Sequence, residues 1–146
     1  MGVGQKLKIL FLCTGNSCRS QMAEGWVRVI HGESFEPYSA GIKQHGLNPF
    51  AVRVMREAGI DISRQTSKTV DDVAHVPFDV VVTVCSDADQ TCPPFQGAPR
   101  VVHVGFDDPP QLATSGQTEE EQLPPYRRVR DEIRDFIQTL PKRLSQ

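Results

Sequence analysis

Long hydrophobic runs are absent from this sequence: no apolar stretch exceeds a few residues, well short of the ~20 that a bilayer-spanning helix needs. No membrane span is expected. An excess of positive charge is also missing. Sixteen Lys and Arg face eighteen Asp and Glu, for a net charge of -2, which excludes the electrostatic footprint of a general nucleic-acid binder. Met1 to Lys8 has no apolar signal-peptide core, and Lys6 stands where myristoylation favours Ser or Thr, so a cytoplasmic location is expected. Cysteine is scarce as well. Cys13, Cys18, Cys85 and Cys92 are the only four, separated within each pair by four and six residues. They are too few for a secreted disulfide framework and lack the two-residue gaps of most zinc ribbons. Such thiols call for burial or chemistry.

What the chain does have is a globular composition, with 38% hydrophobic and 23% charged residues over 146 positions, enough for one domain with its own core. No repeat or linker divides residues 1–146. Lys6 to Cys13 (KLKILFLC) reads as a strand buried on both faces. Turn residues follow at Thr14 to Ser17, then a helix with Met22, Trp26, Val29 and Ile30 on one face, ending near Gly32. Asn48-Pro49 is an N-cap followed by proline at the first helical position; Ala51, Val54, Met55 and Ala58 continue the period, and Gly59 stops it. Phe78 to Cys85 and Arg100 to Phe106 read as two more strands, and Pro109 to Pro125 as a loop. A final helix carries Val129, Ile133, Phe136, Ile137, Leu140 and Leu144 on one stripe, with Pro141 expected to end or kink it. Alternating strands and helices predict an α/β domain with a parallel sheet, whose functional loops gather at the carboxyl ends of the strands.

The segment Cys13-Thr14-Gly15-Asn16-Ser17-Cys18-Arg19-Ser20 places a thiol at the end of a strand and an arginine where a helix begins. Its chemistry suits a tetrahedral oxyanion. Loop amides at a helix N-terminus form a nest of positive potential, and a guanidinium clamps two oxygens at once. The same field favours the thiolate form of Cys13, with the Ser20 hydroxyl placed to donate to its sulfur. The competing reading is a buried structural cysteine beside a surface arginine. His31, His45, His75 and His103 show no metal-ligand spacing and read as structural or exposed. Met22 and Trp26 read as core.

Cys13 to Arg19 resembles the oxyanion loop of the low-molecular-weight protein tyrosine phosphatases, and CTGNSCRSQMAEGW is similar to the thioredoxin-coupled arsenate reductases built on the same fold. Further segments resemble those reductases in the same order: Ser39 to Ile42, Asp61 to Ser63, Val84 to Asp89, Gly105 to Pro109 and Arg128 to Ile133. The resemblance covers nearly the whole chain. It implies a single-domain, three-layer fold with a four-stranded parallel sheet and helices on both faces. It further implies reduction of arsenate to arsenite by three cysteines, with Cys13 as nucleophile, then Cys85, then Cys92. Phosphorus is not reduced by a phosphatase, whereas arsenate takes two electrons, which thiols supply by forming a disulfide.

By the same resemblance, Thr14 to Ser20 hold the oxyanion, Asp108 is the general acid, thioredoxin supplies electrons, and no organic cofactor is used. Asp107 reads as turn or cap chemistry. A potassium site is implied too, at Asn16, Glu24 and Ser39. Its fourth position, an aspartate in those relatives, is Lys68 here, so no bound metal is expected and the Lys68 ammonium is a candidate replacement for the cation. The rival activity is tyrosine phosphatase, sharing Cys13, Arg19 and Asp108. Pro109-Pro110-Gln111 stand where such phosphatases carry aromatic residues that grip the substrate ring. An oxyanion-binding module would need neither Asp108 nor the second and third cysteines. A mycothiol- or glutathione-linked reductase is the nearer alternative.

Overall fold

A computed structural model describes residues 6–84, 100–113 and 118–140. Cys85, Cys92, Pro141 and Leu144 lie outside them. Four parallel strands form one sheet: β1 (Leu7–Cys13), β2 (Phe35–Gly41), β3 (Val80–Thr83) and β4 (Arg100–His103), in the order β2-β1-β3-β4. β1 is buried without interruption from Ile9 to Cys13 because it is central, with a strand on either side and layers above and below. The unbroken apolar run in the sequence has this cause. β2 was not marked in the sequence as a strand. It lies at the sheet edge, carries Pro37, and has three consecutive half-buried residues; proline is tolerated there because an edge strand can spare a ladder donor.

Helices α1 (Arg19–Ile30), α2 (Pro49–Glu57), α3 (Val70–Val73), α4 (Pro109–Leu112) and α5 (Glu119–Gln138) complete the domain, packing on both faces of the sheet. α2 starts as the sequence predicts. The Asn48 side chain accepts from the amides of Phe50 and Ala51, Pro49 occupies the first turn, and Gly59 takes φ +86° just beyond the end. α1 meets α5 through Trp26, whose indole N–H donates to the Arg130 carbonyl at 3.1 Å. Met22 and Trp26 are buried as expected, but Val29 is 62% exposed. It sits near the end of α1, where the stripe has turned out of the core. Ala58 is also exposed, as the C-cap residue of α2.

The reading of Pro109 to Pro125 as a loop is corrected. Pro109 and Pro110 open α4, where a missing N–H costs nothing. Thr118 and Glu121 form a reciprocal capping box that starts α5, which continues through Pro124 and Pro125. Burial of Leu123, Tyr126 and Val129 holds the helix across them, while the carbonyls the prolines leave unbonded belong to exposed Glu120 and Glu121. Among the described residues no helix is long and apolar enough to cross a membrane.

Candidate active site

β1 delivers Cys13 to the carboxyl edge of the sheet, and the chain then turns through residues 14–18 into α1. What shapes this loop is the disposal of its carbonyls. Those of Cys13, Thr14, Gly15 and Ser17 accept from the amides of Ile42, Lys43, His45 and Asn48 at 3.2, 2.8, 3.0 and 3.0 Å. The Asn16 carbonyl accepts from Gln21 Nε2 at 3.0 Å. Residues 42–48 therefore brace the loop from outside. A trans peptide sets each N–H opposite its carbonyl, and cis peptides are absent among the described residues, so the amides following those carbonyls face the enclosed side. Amides so disposed can cradle a tetrahedral anion.

Asn16 is the only non-glycine described residue with positive φ, at 49°. Asparagine tolerates this region, and its fully buried side chain is held on both ends. Its Oδ1 accepts from the Lys68 amide at 2.6 Å and Gln21 Nε2 at 3.1 Å, and its Nδ2 donates to Ser20 Oγ at 2.9 Å. Because Ser20 Oγ already accepts from Asn16, its own hydrogen is available to Cys13 Sγ, 2.9 Å away. That bond holds the sulfur in place at the start of the loop. Cys18 differs. Burial pushes its thiol well above the ordinary range, reinforced by Asp108 and Cys13 and opposed by Arg19, so Cys18 stays protonated.

Arg19 joins the two sides of the site. Its guanidinium donates to the Phe106 carbonyl at 2.9 Å and lies 3.5 Å from Asp108 Oδ1. Asp108 precedes α4 in the N-cap position but makes no capping bond, which leaves its carboxyl directed to the cavity. Asp107 is not a turn or cap residue. Its carboxylate pairs with Arg128 of α5 at 2.9 Å and ties the segment after β4 to that helix. A cavity of about 700 Å³ opens between these parts, lined by Cys13, Thr14, Gly15, Ser17, Cys18, Arg19, His45, Asn48, Phe106, Asp107, Asp108, Pro110 and Gln111. The sequence marks His45 only as structural or exposed and Asn48 only as a cap, yet both line the cavity. The signal was local: His45 lies just ahead of the Asn48 cap, in the segment that must brace the loop.

The implied potassium position does not fit a cation here. Glu24 is buried and accepts from Ser39 Oγ at 2.6 Å, and its second oxygen is taken by the Arg28 guanidinium. The Lys68 ammonium donates instead to the Thr66 carbonyl at 2.8 Å. Lys68 contributes to the site through its backbone, and the cation against Glu24 is Arg28. Arg28 also bonds Gln65, which bonds Gln21.

A loop that starts at a cysteine and ends at an arginine, with an aspartate beside that arginine on the same cavity, suits a tetrahedral oxyanion, and the family model described as low molecular weight phosphotyrosine protein phosphatase matches residues 8–146. The chain belongs to this family. Within it, the chain is 54% identical over 133 residues to an arsenate reductase of Bacillus licheniformis, covering 90% of this chain and 93% of that one. It also resembles the structure of an arsenate reductase in its reduced state, with TM-score 0.74 and 30% identity over 94% of this chain and 98% of that one. A thioredoxin-dependent arsenate reductase of Corynebacterium glutamicum matches with TM-score 0.68 and 27% identity, over 98% of this chain and 65% of that one.

Proposed function

We propose that the chain reduces arsenate to arsenite through Cys13, Cys85 and Cys92, with thioredoxin as electron donor. The observation that carries the reading is the Cys13 sulfur, 2.9 Å from Ser20 Oγ inside a nest closed by Arg19 and Asp108. Loop amides and guanidinium hold the oxyanion. The Cys13 thiolate attacks arsenic, and the Asp108 carboxyl gives its proton to the departing hydroxyl, which leaves as water. A Cys13–arsenic bond results. Cys85 then attacks the Cys13 sulfur, and the pair of the sulfur–arsenic bond stays on arsenic, which falls from the +5 to the +3 state. Arsenite departs and a Cys13–Cys85 disulfide remains. Cys92 displaces Cys13 from it, and the dithiol of thioredoxin reduces the resulting Cys85–Cys92 disulfide.

Support for reduction over hydrolysis comes from the arsenate-reductase relatives and from the two further cysteines. The Phe106 ring packs on Phe136, and beyond it the cavity wall offers Pro110 and Gln111, which give a phosphotyrosine ring no aromatic face. Purified chain, thioredoxin, thioredoxin reductase and NADPH should consume NADPH only when arsenate is present. Cys92→Ser should stop that turnover yet keep aryl-phosphate hydrolysis within about twofold, because hydrolysis restores Cys13 without a second thiol. Undiminished thioredoxin-linked turnover by Cys92→Ser would disprove the relay.

A further inference from the structure

The reductive step needs a proton that the residues assigned so far do not supply. While bound to Cys13, arsenic in the +5 state carries acidic, largely ionised oxygens. Arsenous acid, the +3 product, is a weak acid and leaves neutral at neutral pH. If the adduct is written as Cys13–S–AsO₃H⁻ and Cys85 attacks as a thiol, its own hydrogen and one further proton must both reach arsenic's oxygens. Asp108 has by then given its proton to the leaving water, and its carboxylate lies 3.5 Å from the Arg19 guanidinium. Among the described residues, the other titratable or charged groups lining the cavity are Cys13, Cys18, Arg19 and Asp107. Cys13 is consumed, burial keeps Cys18 a thiol, Arg19 does not give up a proton at neutral pH, and Asp107 is bound to Arg128.

His45 remains, and its placement is specific. Its amide donates to the Gly15 carbonyl at 3.0 Å. Its imidazole lies so close over Gly15 that a methyl group there would come within 2.4 Å of Nδ1. The ring is thus seated on the oxyanion loop and lines the cavity with Cys13, Arg19 and Asp108. An imidazole both carries and releases a proton near neutral pH. We propose that His45 is the proton donor to the departing arsenite. The proposal rests on the relay above. In the step, Cys85 sulfur bonds Cys13 sulfur, the sulfur–arsenic pair reduces arsenic, the Cys85 thiol hydrogen and the His45 imidazolium proton go to arsenic's oxygens, and As(OH)₃ leaves. His45 is reprotonated from solvent, to which it is exposed.

Aryl-phosphate hydrolysis provides the contrast, because phosphorus keeps its oxidation state and phosphate leaves as an anion. His45→Gln removes the acid but keeps the backbone bond to Gly15. In rapid-quench single turnovers of the reduced chain with arsenate, His45→Gln should form arsenite at least about tenfold more slowly, the low side of a general acid's usual contribution. Hydrolysis of p-nitrophenyl phosphate should fall by a much smaller factor, so that the ratio of the two rates drops at least about fivefold. Free imidazole should restore arsenite formation several-fold in His45→Ala and leave the wild type unchanged. Equal losses in both reactions, or no loss in either, would overturn the proton role. Cys85→Ser run in parallel separates the two ideas. Arsenite formed without Cys85 would defeat the relay itself, whereas its loss there combined with full activity in His45→Gln would defeat the proton step alone.

Discussion

Gly41, the last residue of β2, has no room for a side chain: a Cβ there would lie 2.6, 2.7 and 2.8 Å from Lys43 O, Asn16 N and Thr14 O. All three neighbours are backbone of the oxyanion loop or of the segment that braces it, so none can swing aside. Gly41→Ala should therefore push the brace off the loop, costing ~1–3 kcal/mol of stability as overpacking does. Arsenate kcat/KM should fall with it, by more than the change at saturating arsenate, because on the proposed mechanism the loop amides bind the anion. Urea titration and steady-state kinetics check both. Arg28 makes a second prediction at this scale. Its guanidinium already neutralises buried Glu24, so melting temperature should be indifferent to exchanging potassium for sodium at fixed ionic strength. Arg28→Met should melt lower by thermal denaturation, because a buried carboxylate that loses its counter-charge is destabilising. Selective stabilisation of the wild type by potassium would contradict this account.

Among the elements, those whose local chemistry and burial agree were legible in the sequence. β1 is apolar throughout and buried throughout, and α2 has its Asn48 cap and Gly59 stop. β2 was not, because an edge strand with Pro37 and half-exposed Glu36 and Tyr38 lacks the apolar signature. The α4 and α5 starts were hidden by their prolines, which read as breakers although two of them open a helix and two are overridden by packing. α5 is also anchored to α2 by Arg127, which holds Glu57 with bonds of 2.8 and 2.9 Å. The bond from Arg127, more than its charge, keeps the Glu57 carboxyl below the usual carboxylate range. A carboxyl more acidic when folded stabilises the fold above its unfolded pKa of ~4.3 and stops doing so as pH falls through the folded value. Glu57→Gln should lower the melting temperature slightly at pH 7, with the difference from wild type shrinking toward pH 3. Scanning calorimetry across that interval checks the sign.

For the molecule as a whole, the parallel sheet explains why distant residues meet. Cys13 ends β1, and the segment Phe106 to Asp108 lies just beyond β4, two strands away in the same sheet. Arg19 closes the gap between them. This much was legible, because strand ends and motifs mark it. The part proposed for His45 was not, since it depends on backbone pairing between residues 13–17 and 42–48, and main-chain hydrogen bonds leave little trace in residue types. Those outward-tied carbonyls also bear on selectivity. A cradle made of pre-aimed amides, braced before any ligand arrives, reads only tetrahedral shape and negative charge. Phosphate offers the same shape and charge as arsenate, so the cradle has little means of telling them apart by affinity. Discrimination must then arise after binding, from the ease with which arsenic, unlike phosphorus, surrenders its oxidation state to sulfur. The selectivity of the protein is thus a property of the element it processes.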